Sequence, residues 1–268
     1  MKGFIIFLVV IPVIVFIIIR RRRPRSSNII LPDNFRTILN DHVAFYRQLN
    51  DADKISFENR ITDFLSYVHI HAVNTEIDDL DKLLVASSAI IPVFNFDWHY
   101  YNLKDVLIYA DTFDHDKFTV TSNERNTLGM VGTGAMQQMM ILSKQALRQG
   151  FANELSKYNT GIHEFVHLLD KADGETDGIP EALLSKQYTI PWIQYMNEEI
   201  EKMKQGNSDF NIYGATNKAE FFAVAAEYFF GAPEQFKIKH PDLFELMEKI
   251  FHQQSHDEKK NNLQTVAL

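Results

Sequence analysis

The segment at residues 217–230, Asn-Lys-Ala-Glu-Phe-Phe-Ala-Val-Ala-Ala-Glu-Tyr-Phe-Phe, constrains the fold more than any other stretch of the chain. After its first turn it is apolar around nearly its whole circumference, so a helix here belongs inside a core. Only Glu220 and Glu227 interrupt that surface, and at a spacing of seven residues they share one face. A buried carboxylate is costly unless it is paired or bound to a metal. The fold must therefore bring cations or hydrogen-bond donors to this face.

His163-Glu164-Phe165-Val166-His167 offers them. Residues four apart on a helix lie about 40° apart on one face, one turn displaced. Both imidazoles then reach one ion at about 2.0–2.1 Å. Glu164 flanks such an ion without competing for it, which suits a base acting on a metal-bound water. This His-Glu-x-x-His arrangement is the zinc-protease signature. The plainer alternative is a surface helix with an incidental pair of histidines. Glu220, 53 residues after His167, completes a His–His–Glu set with one position open to water. It also reads as the third residue of an N-terminal capping pair with Asn217. Glu227 either supports a ligand imidazole or is a plain buried acid. Asp170 competes as third ligand, but so close on the same helix it is better placed to orient an imidazole. Tyr213, seven residues before Glu220, puts a phenol within range of a developing oxyanion. Tyrosines beside buried helices are mostly core, and spacing alone does not separate these two roles.

Composition narrows the chemistry. The 268 residues include no cysteine, which excludes disulfides, zinc ribbons and thiol catalysis. Any metal here uses His and carboxylate ligands. The first 25 residues carry six basic side chains and no acid, so the remainder holds 21 basic residues against all 35 acidic ones. So acidic a body lacks the basic footprint of a nucleic-acid binder.

Residues 3–19 form an unbroken run of 17 apolar residues followed directly by four arginines. The run predicts a single transmembrane helix, in which Pro12 is tolerable. The arginines that follow leave no small-residue cleavage site. Five arginines after the run against Lys2 before it favour a cytoplasmic body. Residues 20–33 read as a basic juxtamembrane linker, 34–254 as the folded domain with a helical part to about residue 90, and 255–268 as a flexible tail. Strands are expected at 93–101, 106–109 and 139–143, and helices at 152–172, 191–204 and 217–230. The fold class is α+β, mainly helical with a small sheet.

Three segments together resemble a known family: His-Glu-Phe-Val-His-Leu-Leu-Asp at 163–170, Asp-Gly-x-x-Asp-Gly-Ile-Pro at 173–180, and Tyr-Gly-Ala-Thr-Asn-Lys-Ala-Glu-Phe-Phe-Ala at 213–223. They are similar to the Mlc titration factor A (MtfA) family of zinc-dependent peptidases, itself similar to the catalytic domain of anthrax lethal factor. The resemblance implies a gluzincin-like metallopeptidase core and one zinc ion. It implies His163, His167 and Glu220 as ligands, Glu164 as catalytic base and Tyr213 as the transition-state tyrosine. A peptide or protein is then the substrate. The family is also known for capturing a transcriptional repressor, so a membrane-tethered binding protein with structural zinc is the alternative. The N-terminal anchor departs from the better-known soluble members.

Overall fold

The computed structural model describes residues 31–110, 129–131 and 138–251. The expected anchor at 3–19, all of the linker before residue 31, and the tail at 255–268 lie outside them. No helix among the described residues is long and apolar enough to cross a membrane.

Three helices open the domain: α1 (Phe35–His42), α2 (Ala44–Gln48) and α3 (Asp51–Tyr67). Strand β1 (His69–Val73) leads to α4 (Asp79–Ile90), then come β2 (Asp105–Tyr109), β3 (Gly129–Val131) and β4 (Met139–Ser143). The rest is helical: α5 (Lys144–Ala152), α6 (Thr160–Asp170), α7 (Lys186–Lys204), α8 (Lys218–Gly231), α9 (Pro233–Lys239) and α10 (Pro241–Ile250). The expected mainly helical α+β architecture with a small sheet is what forms.

The sheet runs in the order β1-β2-β4-β3. β1, β2 and β4 are parallel, with Ile70 beside Val106 and Val106 beside Met140, while β3 runs antiparallel to β4. β4 is therefore interior. Among the described residues β3 is the edge strand next to α6, and α6 packs against both β3 and β4.

Three local expectations are corrected. No strand forms at 93–101: a 3-10 turn (Ile91–Val93) gives way to irregular chain. The aromatic residues that suggested a strand are used as packing groups instead. The carbonyls of Val93 and Phe94 are satisfied by the Arg60 guanidinium, and the Tyr100 hydroxyl donates to Ala89 O at 2.9 Å. With donors supplied by side chains, this backbone needs no partner strand. Conversely, β1 lies in a stretch whose periodicity read as helix. None of its His-Ile-His-Ala-Val residues is fully buried and three are exposed, so it carries little of the apolar signal by which strands are recognised. The expected helix at 152–172 begins only at Thr160: α5 ends at Ala152, and the irregular segment between them places Asn159 as the cap of α6.

The core forms around α8. Phe221, Phe222, Ala223, Ala225 and Ala226 are fully buried. Trp192 of α7 meets Phe221 and Phe222 at 6.2 and 5.7 Å between ring centroids. From the other side, Phe165 of α6 joins this core to the N-terminal helices through Phe64 at 5.7 Å and Tyr100 at 5.1 Å. Each such pair adds about 0.5–1.5 kcal/mol beyond the area it buries. α6 and α8 are thus fixed from both sides, which matters because they carry the site.

Candidate metal centre

α6 begins at Asn159, whose side-chain oxygen accepts the N–H of Ile162 at 3.0 Å. Its apolar residues Ile162, Phe165, Val166 and Leu169 are buried. At Gly161 a Cβ would stand 2.2 Å from Ser88 Oγ of α4, so the helix lies closer to its neighbour than a side chain permits. This packing turns His163 and His167 toward α8. There Asn217 caps the helix by accepting the N–H of Glu220 at 3.0 Å. The Glu220 carboxylate does not reach back to close a capping box; it turns to the imidazoles.

His163 Nε2 lies 2.9 Å from Glu220 Oε2 and 3.1 Å from His167 Nε2, and His167 Nε2 lies 3.4 Å from Glu220 Oε2. Ligands about 2.0–2.1 Å from a tetrahedral zinc stand about 3.3 Å from one another. The three edges observed match that tetrahedral face.

Proton bookkeeping points the same way. His163 Nδ1 is 2.7 Å from Glu227 Oε1. With Nδ1–H donating to that carboxylate, Nε2 is the ring nitrogen left to face Glu220 at 2.9 Å. Such a separation between an imidazole nitrogen and a carboxylate suits a shared cation, either a metal ion or a second proton on the ring. The donor set therefore fits a metal ion, and among the described residues His163, His167 and Glu220 alone form such a group.

The charged groups of the cluster act strongly on one another. Burial opposes the imidazolium form of His163, but Glu220 and Glu227 more than reverse this and raise its pKa well above the usual value. Burial would raise Glu220 too, yet the two imidazoles hold it down at about 2. Glu164 differs: burial pushes its carboxyl up, Glu220 and Glu227 add to this, and the imidazoles only partly offset it. A carboxylate lifted in this way takes up a proton more readily than a free one. Tyr213 sits in a 3-10 turn (Ile212–Ala215) with its ring 6.0 Å from that of His163. Partial burial and the charges of Glu220 and Glu164 raise its phenol, which keeps the proton it would donate.

Asp170 is placed otherwise than expected. It is wholly buried, and both its oxygens accept the Gly178 N–H, at 2.9 and 3.1 Å. His167 Nδ1 is buried with no hydrogen-bond partner. Asp170 thus secures the loop after α6 rather than an imidazole. Gly178 is the junction of that loop: Trp192 Nε1 donates to its carbonyl at 2.7 Å. Its φ is +77°, and a Cβ there would fall 2.2 Å from Lys218 O at the start of α8. Asp173 and Asp177 cap backbone N–H groups of the same loop.

Sequence reasoning did not find Asn159, Gly178 and Trp192 as supports of the site. Asn159 had a signal, as a capping residue before an apolar helical run. Gly178 showed only as part of a turn-forming Asp-Gly pair, and nothing in the sequence ties it to Trp192 or α8.

The chain matches the model of the family described as Glucose-regulated metallo-peptidase M90 over residues 17–252. It is 31% identical to Mlc titration factor A of Pectobacterium atrosepticum over 165 residues, 56% of this chain and 59% of that protein's length. With Mlc titration factor A of Escherichia fergusonii the identity is 30% over 184 residues, 63% of this chain and 67% of the relative. An uncharacterized Synechocystis protein is 26% identical over 231 residues, 82% of this chain and 84% of its own. The resemblance to Mlc titration factor A read from the motifs is borne out. The chain belongs to this metallo-peptidase family.

Proposed function

From this family membership we propose that the protein is a one-zinc peptidase that hydrolyses peptide bonds at the His163–His167–Glu220 cluster. The observation that carries the proposal is the near-tetrahedral face formed by one ligand atom each of His163, His167 and Glu220. Zinc held there supplies a Lewis acid that lowers the pKa of a bound water toward about 7 and polarises the substrate carbonyl. Glu164 removes the proton as the water oxygen bonds to the carbonyl carbon. It then hands that proton to the departing amine as the C–N bond breaks. Tyr213 donates its phenolic proton in a hydrogen bond to the oxyanion that develops. Glu227 keeps His163 in the tautomer that leaves Nε2 for the metal. The side of β3 that has no partner strand among the described residues, beside α6, suits an extended peptide laid along it.

Zinc content and cleavage of a peptide library, measured for wild type and Glu220→Ala, test the proposal. The wild type should carry about one zinc per chain and cleave, and the variant should lose both. A wild type that binds zinc stoichiometrically and cleaves no peptide defeats the catalytic reading.

The name of the titration-factor relatives supports a second reading, in which the chain binds a regulatory protein such as a transcriptional repressor and zinc only holds the fold. Capture of a cytosolic protein that is unaffected by Glu164→Gln, with no cleavage of it, would favour this reading. The apolar run at 3–19 and its arginines further support a single-pass anchor with the catalytic body in the cytoplasm. Full-length protein should then stay with membranes through alkaline extraction, and a chain lacking residues 1–33 should not.

A further inference from the structure

A cleft of about 730 Å³ lies beside the C-terminal end of α6, bounded by Trp98, Tyr101, Leu103, Leu168 and Lys171. Its volume is that of a ligand site rather than a surface dimple. We infer that this cleft is a specificity subsite that receives a bulky aromatic side chain of the peptide, about two residues from the scissile bond. The inference rests on the peptidase reading and names the substrate class for it.

Position comes first. Lys171 follows His167 by four residues in a turn that continues α6, so it lies about 6 Å further along the axis and about 40° around it. The cleft is thus lined by Leu168, the neighbour of His167, and by Lys171, one turn further along the same helix. An extended peptide advances about 3.3 Å per residue, and its side chains alternate between faces. A step of 6 Å is two residues, which brings a second side chain of the same orientation to the cleft.

The walls set the chemistry. The segment at 98–101 supplies Trp-His-Tyr-Tyr. Tyr100 is buried and edge-packed on Phe165, 5.1 Å away, which gives the wall a rigid backing on α6. Trp98 stands against Tyr100 at 6.5 Å in a T-shaped arrangement. Tyr101 is 70% exposed and stacks on His99 at 5.5 Å with 22° between the planes. Exposed aromatic surface over a cleft is a common anchor for a ligand. Aromatic rings prefer offset or edge-on aromatic neighbours, and both orientations are present here. Lys171 and Asp173 keep the rim polar, which favours backbone outside and side chain inside.

The test uses peptides of one sequence with Phe or Ala placed in turn at each position around the cleaved bond. Wild type should prefer Phe by about tenfold to a hundredfold in kcat/KM at one position, the gain expected for burying such a side chain. Tyr101→Ala and Leu168→Ala should bring that ratio toward one, while Ile238→Ser, on exposed α9, should keep it. The same peptides are then bound to Glu164→Gln and followed by fluorescence anisotropy, so the reading does not depend on turnover. Equal binding of Phe and Ala peptides overturns the inference, as does a preference that survives both cleft substitutions. A wild type that cleaves nothing defeats the peptidase reading alone. Tighter binding of the Phe peptide, lost in Tyr101→Ala, would still establish the cleft.

Discussion

Oε1 of Glu227 lies 2.7 Å from Nδ1 of His163, and the other oxygen of the same carboxylate accepts the backbone N–H of Asn159. One buried side chain on α8 therefore holds both the ligand imidazole and the N-terminus of the helix that carries it. The two helices that supply the candidate ligands are joined by a side chain that is not itself one of them.

Replacing Glu227 should loosen the metal without removing a ligand. Glu227→Ala is expected to weaken zinc affinity by about 10–100-fold. Glu227→Gln should fall between, because its amide oxygen still accepts from Nδ1–H. Competition with a chromogenic chelator measures this. Affinity unchanged in the alanine variant would mean that the pair does not tune the ligand.

Glu164→Gln separates binding from chemistry. The side chain touches none of the three ligand atoms' hydrogen-bond partners, so zinc content should stay near that of wild type. Loss of the base should lower kcat by at least about 10²–10⁴-fold. Metal analysis beside single-turnover cleavage reads both quantities from one preparation. Retained turnover would remove Glu164 from the mechanism.

How much of this was legible in the sequence depends on how local the cause is. The helix at 217–230 declared itself through apolar residues on every side, and that property buries it at the centre of the core. Its two carboxylates had to find partners, and each has two: Glu220 at the imidazoles of His163 and His167, Glu227 at His163 and Asn159. The expected strand at 93–101 failed for a non-local reason. Arg60, more than thirty residues earlier, satisfies the carbonyls that a neighbouring strand would have taken. Asp170 was misplaced in the same way, because the Gly178 N–H that claims it comes from a loop whose course no periodicity describes.

Gly178 should be intolerant of even one methyl group. Its φ of +77° disfavours any side chain, and the added Cβ would meet Lys218 O at 2.2 Å. The cost of Gly178→Ala is about 2 kcal/mol or more. Because the clash falls at the start of α8, relief moves the turn that carries Glu220, so zinc affinity should fall along with Tm. Gly174→Ala, also at positive φ but with nothing within 4 Å, should lower Tm without altering zinc affinity. Equal zinc affinity in the Gly178→Ala variant would show that the loop does not position Glu220.

A second ionic cluster, apart from the candidate ligands, should make stability depend on pH. His240 Nε2 lies 2.7 Å from Asp209 Oδ1, and its Nδ1 lies 3.6 Å from Glu199. Lys157, Lys239 and the Tyr228 hydroxyl also converge on Asp209, while Ser208 and Lys202 bind Glu199. Burial opposes charge on all three central groups. It is outweighed in each: Glu199 is held down at about 2, Asp209 lies far below the usual carboxylate range, and His240 is raised above its ordinary value. Burial and Asp209 push the Tyr228 phenol well up, so it stays protonated across the range that matters. The depressed carboxylates stabilise fully above their unfolded values of about 4, and that contribution is lost as pH falls toward 2. The raised imidazole stabilises fully below about 6.5, and its contribution is lost as pH climbs through the higher folded value. Stability from this cluster should therefore be greatest between about pH 4.5 and 6.5. His240→Asn should lower Tm at pH 6, with a gap to wild type that narrows steadily toward pH 9 as the native imidazole loses its proton. Asp209→Asn, which leaves several donors short of an acceptor, should cost about 2 kcal/mol, or roughly 4–8 °C. Thermal melts of metal-loaded protein from pH 4 to 9 measure both. Wild-type and His240→Asn curves that run parallel from pH 6 to 9 would show that the imidazole carries no charge-dependent stability.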